Sequence, residues 1–318
     1  MKGNLARSMA IHALTENFNR FSANLNPKGT FEEIASREYR SIKGLIEDKS
    51  GPAAVLSPNC FLQGSYKQAT AIYTINDIDI VALCRLWYPG GGTGKRWSRD
   101  EIFDAVAAPL RADKRYEAKT HYGPQSMCIK VDLGIRIEVL PVVLKAGNND
   151  PSQEPFCLYR PEKGSWQEGY ARFHQAYLSL KNQDIKTGGN FIPSVKVLKH
   201  LRSLYGLQSV SFHLECLLYV LPDDVFAGGA AEFIAGLLAY IARFTAEEWY
   251  EANIWTPCGD RKLFFPSEWS WESWSLFHRA ARVWSAAAIA ASTEQDRNSS
   301  ISRWQELLGR EFFPRVTG

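Results

Sequence analysis

No stretch of the 318-residue chain reaches the ~18 uninterrupted apolar residues that a membrane-spanning helix needs. The alanine-rich run near 280–291 comes nearest, and Arg282 and Ser285 break it. The N-terminus, MKGNLARSMAIHALTENFNRF, also lacks an apolar core followed by a small-residue cleavage site. Both absences lead us to expect a cytoplasmic protein with no membrane partner. Closely spaced cysteines are missing too: Cys60, Cys84, Cys128, Cys157, Cys216 and Cys258 are scattered singly, which excludes zinc knuckles and redox CxxC pairs and reads as buried, reduced thiols. A strong charge bias is absent as well. With 37 Lys and Arg against 34 Asp and Glu, the formal charge of +3 makes no case for nucleic acid as a partner. Neither a fixed-period repeat nor a low-complexity tract is present.

The composition is that of a soluble globular protein, and the length suits two lobes of about 150 residues each. Two helices are expected to open the chain, one over about 8–24 and one from Thr30, where Thr30 and Glu33 form the pattern of a capping box. After the GPAAVLSPN break come short β-branched or alternating pieces: CFLQGSY, DIDIVALCRL, SMCIKVDL and IRIEVLPVVL. Gly134 supplies a turn between the last two. One helix interrupts them, with Ser98 and Glu101 as a second capping box. Beyond the polar linker AGNNDPSQEP the texture turns helical, with Ser165/Glu168 opening a helix to about 182 and others over 193–205, 209–221, 229–244, 271–291 and 294–309. The expected organisation is α+β: an α/β lobe over 1–150 and a helical lobe over 151–318.

The chemistry concentrates in FLQGSYKQATAIYTINDIDIVAL. Asp77 and Asp79 stand two apart in a strand, so period-2 geometry puts both carboxylates on one face, about 6–7 Å apart along it. Asp is disfavoured in strands and costly when buried without a partner, yet here it alternates with isoleucine. Hard divalent cations, which want oxygen ligands, would offset that cost. Gly64 and Ser65 make a turn whose backbone can approach a ligand closely and whose N–H and hydroxyl donors suit phosphate. Two metals about 3.5–4 Å apart require a third acid. Glu138, mid-strand in IRIEVLPVV, is the choice, with Asp132 as the competitor and an ion pair of Glu138 with Arg136 or Lys130 as the plain alternative. GGGTGKR at 90–96 imitates a P-loop, but Pro89 stands where the first glycine belongs and Arg96 where the magnesium-contacting hydroxyl belongs. A flexible loop is expected there instead.

GSYKQATAIYTINDIDI, followed some sixty residues later by IEVLP, resembles the GS…DxD…(D/E) signature of polymerase-β-like nucleotidyltransferases. The form GSYxxxTAI with VKVLKHLRSLYG…SFHLE resembles the CD-NTases, the bacterial relatives of cyclic GMP-AMP synthase and oligoadenylate synthase that serve CBASS anti-phage defence. The resemblance implies a polymerase-β-like lobe with a mixed sheet, a helical second lobe and an active site in the cleft between them. It implies two Mg²⁺ or Mn²⁺ ions on Asp77, Asp79 and Glu138, with glutamate where many members carry aspartate. It also assigns the triphosphate to Lys199 and Ser211, along with Gly64 and Ser65, and base stacking to Phe212. Lys196, one turn earlier on the helix of Lys199, leaves that lysine assignment open; the plain alternatives are a solvated face for Lys199, a helix cap for Ser211 and helix packing for Phe212.

The implied reaction is synthesis of a cyclic di- or trinucleotide from nucleoside triphosphates, with ATP and GTP the first substrates to expect. Competing readings are a linear oligonucleotide synthase, a nucleotidyltransferase that modifies RNA or protein, and a catalytically silent nucleotide-binding signalling module. Direct nucleic-acid sensing is not expected, since no long basic sensor surface or zinc insertion is evident. Seven of the ten tryptophans lie after residue 245 and read mostly as core. Terminal Gly318 is compatible with conjugation to, or a complex with, a ubiquitin-transfer-like regulatory protein, as the family resemblance suggests.

Overall fold

Alternation within strand 77–88 decides how the first part of the protein is built. Ile78, Ile80, Ala82 and Cys84 belong to one buried cluster, while Val81 and Leu83 belong to another, as successive side chains of a strand must point to opposite faces. The computed structural model describes residues 10–88, 97–147, 150, 152 and 154–316. GGGTGKR and Gly318 lie outside the described residues, and so do the expectations that rest on them.

In chain order the elements are α1 (Thr15–Leu25), α2 (Gly29–Ile46), β1 (Asn59–Gln63), α3 (Gly64–Lys67), β2 (Asp77–Tyr88), α4 (Arg99–Ala112), β3 (Thr120–His121), β4 (Ile129–Asp132), β5 (Arg136–Lys145), β6 (Phe156–Arg160) and β7 (Ser165–Gly169). The helices α5 (Ala171–Lys181), α6 (Asp184–Thr187), α7 (Phe191–Leu204), α8 (Ser211–Val220), α9 (Ala230–Arg243), α10 (Ala246–Glu251), α11 (Trp271–Ser292) and α12 (Arg297–Leu308) complete it. By contacts the chain divides into an α/β unit, residues 27–69 and 74–175, and a helical unit, residues 1–26, 70–73 and 176–318.

The α/β unit holds a mixed sheet in the order β1-β2-β5-β4-β3, with β6 added to β5 and β7 to β6. β2 and β5 are parallel, and every other pair is antiparallel. A parallel pair needs a long crossover, here the stretch containing α4, β3 and β4. One face of the sheet is sealed by α2 and α4 through Ile42, Ile46, Phe103, Val106 and Leu110. The other face carries Val81, Leu83, Val142, Leu144 and Phe156. The expected Ser98/Glu101 capping box is present, the Ser98 hydroxyl accepting from Glu101 N–H. Ser98→Ala should lower unfolding free energy by about 1 kcal/mol, read by denaturant titration.

Two expectations need correction. Thr30 and Glu33 make no capping box: α2 starts at Gly29 with Lys28 in the cap position and no side-chain cap, so Thr30 already lies inside the helix. Ser165 and Glu168 open no helix but lie in β7, where pairing with β6 from Phe156↔Gly169 to Arg160↔Ser165 overrides the local Ser-x-x-Glu signal. The division by contacts does not follow a single point in the chain. β6 and β7 extend the first unit to residue 175, while α1 belongs to the helical unit. There Phe18 meets Trp304 and Phe313 edge-on, with centroids at 5.1 and 4.9 Å.

The helical unit is built around one large apolar cluster. Trp249, Trp269, Trp274, Trp284 and Trp304 are buried in it, whereas Trp255 and Trp271 are exposed. Among the described residues no helix is long and apolar enough to cross a membrane.

Candidate active site

The face of the sheet that carries Val81 and Leu83 changes character toward the start of β2. By alternation Asp77 and Asp79 share that face. Register then adds the third acid: Asp79 lies opposite Glu138 on parallel β5 and opposite Gln63 on β1, and Glu138 lies opposite Lys130 on β4. Gln63, Asp79, Glu138 and Lys130 therefore form one row across four strands, with Asp77 and Arg136 in the next row. The apolar face ends in acids where β2 and β5 begin.

Gly64 sits directly against this row. It adopts φ +73°, a left-handed conformation natural to glycine. A Cβ placed there would lie 2.0 Å from Asp79 Oδ2. The backbone thus reaches the carboxylate only because residue 64 has no side chain. Ser65 follows within the single turn of α3, which closes through Gln68 N–H donating to the Gly64 carbonyl at 3.1 Å. Tyr66 anchors this turn through an edge-on contact with Phe31 of α2, centroids 5.9 Å apart.

The electrostatics of the three acids are unfavourable as they stand. Burial, then Asp77, then Glu138 push the Asp79 carboxyl up to about 7. Among the described residues no Lys, Arg or His forms an ion pair with any of the three, so the alternative of Glu138 paired with Arg136 or Lys130 is not realised. The competing acid, Asp132, is exposed and lies 3.6 Å from His121. No group of three or more His, Cys, Asp and Glu side chains is already gathered as an ion cage among the described residues. The donor chemistry nevertheless fits a hard divalent cation: oxygen ligands on one face, mutual repulsion, and no cationic partner among the described residues.

Cys128, which sequence reasoning passed over, lies against Glu138. It is 6% exposed, and burial followed by the Glu138 carboxylate pushes its thiol up to about 12. It precedes β4 on the Lys130 side of the row, so only the strand register reveals its position.

The three residues expected from the second lobe fare differently. Lys199 is buried, and its ammonium donates to Thr70 Oγ1 at 2.9 Å, to the Thr70 carbonyl at 3.2 Å and to Glu215 Oε1 at 2.8 Å. Three donors meet three protein acceptors, all within the helical unit. Burial pulls the Lys199 ammonium down, with Glu215 pulling back up. Lys196, the alternative, donates to Asn26 Oδ1 at 2.7 Å. Ser211 opens α8 as expected, and its hydroxyl accepts from Arg202 at 3.2 Å. Phe212 is half-buried with the Arg261 guanidinium 4.8 Å from its ring centroid. Neither arginine was foreseen, since single arginines on a helix or in a loop leave no mark in a sequence.

Comparison with known proteins agrees with this architecture. Residues 13–182 match the Second Messenger Oligonucleotide or Dinucleotide Synthetase domain, and residues 178–285 match the cGAS/DncV-like nucleotidyltransferase C-terminal helical domain. A cyclic UMP-AMP synthase of Rhodothermus marinus is 24% identical over 268 residues, 77% of this chain and 90% of that protein. The structure of Rhodothermus marinus CdnE c-UMP-AMP synthase with Apcpp and Upnpp matches at 23% identity and TM-score 0.66, covering 86% of this chain and 96% of that one. Escherichia coli MS115-1 CdnC, solved as a HORMA-deltaN complex, matches at 16% identity and TM-score 0.71, over 95% and 98% of the chains. Vibrio cholerae DncV matches at 12% identity and TM-score 0.72, over 96% and 97%. Since the synthetase domain alone spans more than half of its length and the helical domain follows, the chain belongs to the CD-NTase family of nucleotidyltransferases.

Proposed function

We propose that the protein synthesises a cyclic di- or trinucleotide second messenger from nucleoside triphosphates, in the setting of anti-phage defence. The observation that carries this reading is the acid row of Asp77, Asp79 and Glu138, with the Gly64 backbone pressed against Asp79, in a chain of this family. Asp77, Asp79 and Glu138 would hold two Mg²⁺ or Mn²⁺ ions, which supply charge neutralisation at the triphosphate and a more acidic ribose hydroxyl. Gly64 and Ser65 present backbone N–H and hydroxyl donors to the phosphates. Glu138 also stands ready to accept the attacking hydroxyl's proton. The new bond joins that oxygen to the α-phosphorus, and pyrophosphate leaves. Ser211 with Arg202 offers donors for phosphate, and Phe212 a ring for a base. ATP and GTP are the substrates to try first, with UTP beside them because the Rhodothermus marinus relative is a cyclic UMP-AMP synthase. A regulatory protein partner belongs to the same reading, as CdnC was solved in complex with a HORMA protein.

The test is incubation with four labelled nucleoside triphosphates and Mg²⁺ or Mn²⁺, beside Asp77→Ala/Asp79→Ala, followed by phosphatase and mass spectrometry. A phosphatase-resistant product absent from the double variant is expected. A phosphatase-sensitive product made by the wild type would move the assignment to linear synthesis.

A further inference from the structure

Between the glycine-serine turn and the acid strand, four residues leave the α/β unit. Thr70–Tyr73 belong by contacts to the helical unit, although the chain on both sides of them does not. Thr70 is 0% exposed, with Ala71 and Ile72 also buried, while Ala69 before them and Thr74 after them are exposed. Ala69 turns the chain inward with φ +57°. At the far end Tyr73 N–H donates to the Leu25 carbonyl at 2.9 Å, its hydroxyl meets His200 Nδ1 at 3.3 Å, and its ring lies 4.5 Å from Phe312.

The head of this segment is held by charge. Lys199 donates to both oxygens of Thr70, and the Thr70 hydroxyl in turn donates to Glu215 Oε1 at 2.8 Å. Lys199, Glu215 and Thr70 thus close a triangle of hydrogen bonds, with Lys199 2% and Glu215 4% exposed. A core needs no such group: apolar residues of similar volume stabilise as well or better, because desolvating two charges costs more than their attraction returns. What the pair does that leucine and methionine cannot do is satisfy both oxygens of a residue in an irregular segment.

We infer that the Lys199–Glu215–Thr70 triangle is a positioning device, which fixes the path of the chain linking Ser65 to Asp77 and thereby sets the acid row. The inference rests on the metal-binding reading of Asp77, Asp79 and Glu138. It gives Lys199 a role that reaches the reaction through the backbone. Small displacements suffice for a large effect, since a shift of about 1 Å at reacting groups costs about 100-fold in rate.

Thr70→Val removes only the hydroxyl, Thr70→Ser retains it, and Thr70→Val/Lys199→Met/Glu215→Leu replaces the whole triangle by apolar volume. For each full-length protein we would measure melting temperature, Mn²⁺ affinity by electron paramagnetic resonance, and kcat and KM for product formation, with Asp77→Ala/Asp79→Ala marking which Mn²⁺ is bound at the acids. Thr70→Val and the triple variant should fold, bind that Mn²⁺ about tenfold or more weakly and lose kcat at saturating nucleotide by a similar factor, with Thr70→Ser near wild type. Wild-type Mn²⁺ affinity and kcat in a folded triple variant would overturn the inference. So would a raised KM at unchanged kcat in the triple variant alone, since Lys199 would then be touching nucleotide. Equal Mn²⁺ binding by the wild type and Asp77→Ala/Asp79→Ala would instead reject the metal reading itself, and this inference with it.

Discussion

Asp79→Asn should abolish product formation, by about 1,000-fold or more, and at the same time make the metal-free protein more stable. The first effect follows from removing the acid that lies beside Glu138 and under Gly64, where charge stabilisation is the main catalytic contribution. The second follows from linkage. Burial and two neighbouring carboxylates raise Asp79 from 3.8 to about 7, so the folded state holds a proton that the unfolded chain releases. A raised carboxyl adds no penalty below about pH 4, weakens the fold as pH rises, and exerts its full effect above about pH 7, with a ceiling of about 4 kcal/mol. The asparagine side chain of the variant is neutral throughout. Melting curves of the metal-free proteins should therefore coincide near pH 4 and separate by several degrees at pH 8, the variant higher. Adding Mn²⁺ at pH 8 should raise the wild type and leave the variant unmoved. Equal melting temperatures at pH 8 would show that the acids do not strain the fold.

Gly64→Ala should lose activity by about 100-fold or more while the protein stays folded. Its methyl group would occupy space 2.0 Å from Asp79 Oδ2 and 3.0 Å from Cγ, so either the turn or the carboxylate must move. The left-handed backbone adds about 1–2 kcal/mol of strain. Gly134 supplies the control, with φ +83° and nothing within 4 Å of an added Cβ. Gly134→Ala bears the same backbone strain with full activity. Comparing kcat and melting temperature of the two separates strain from displacement of Asp79. Equal activity losses in both would locate the effect in general destabilisation.

The acids, the glycine-serine turn and the strand-rich first part were legible because each leaves a local mark: carboxylates alternating with isoleucine, a glycine before a helical turn, β-branched runs. Glu138 was legible for the same reason. Cys128 was not, since nothing in SMCIKVDL shows which residue faces the acid row until β4 takes its register on β5. Lys199 is a different case. Its residue type and family position suggested phosphate, but its partners, Thr70 and Glu215, come from 129 and 16 residues away. The strand at 165–169 was hidden by a Ser-x-x-Glu pattern that is a helix signal only where the preceding chain leaves the residues free to use it. Here β6 claims them as a sheet edge instead.

The parallel pairing of β2 with β5 has a consequence for how the protein comes into being. Asp79 and Glu138 meet only after the intervening chain has crossed over and β5 has zipped along β2, a non-local pairing that is intrinsically slow. On the ribosome the first two acids emerge well before the third, and no truncated product ending ahead of β5 contains the complete set. A nucleotidyltransferase that depends on all three acids would thus be silent while nascent. Length changes within the crossover should leave the acid row intact wherever β2 and β5 keep their register.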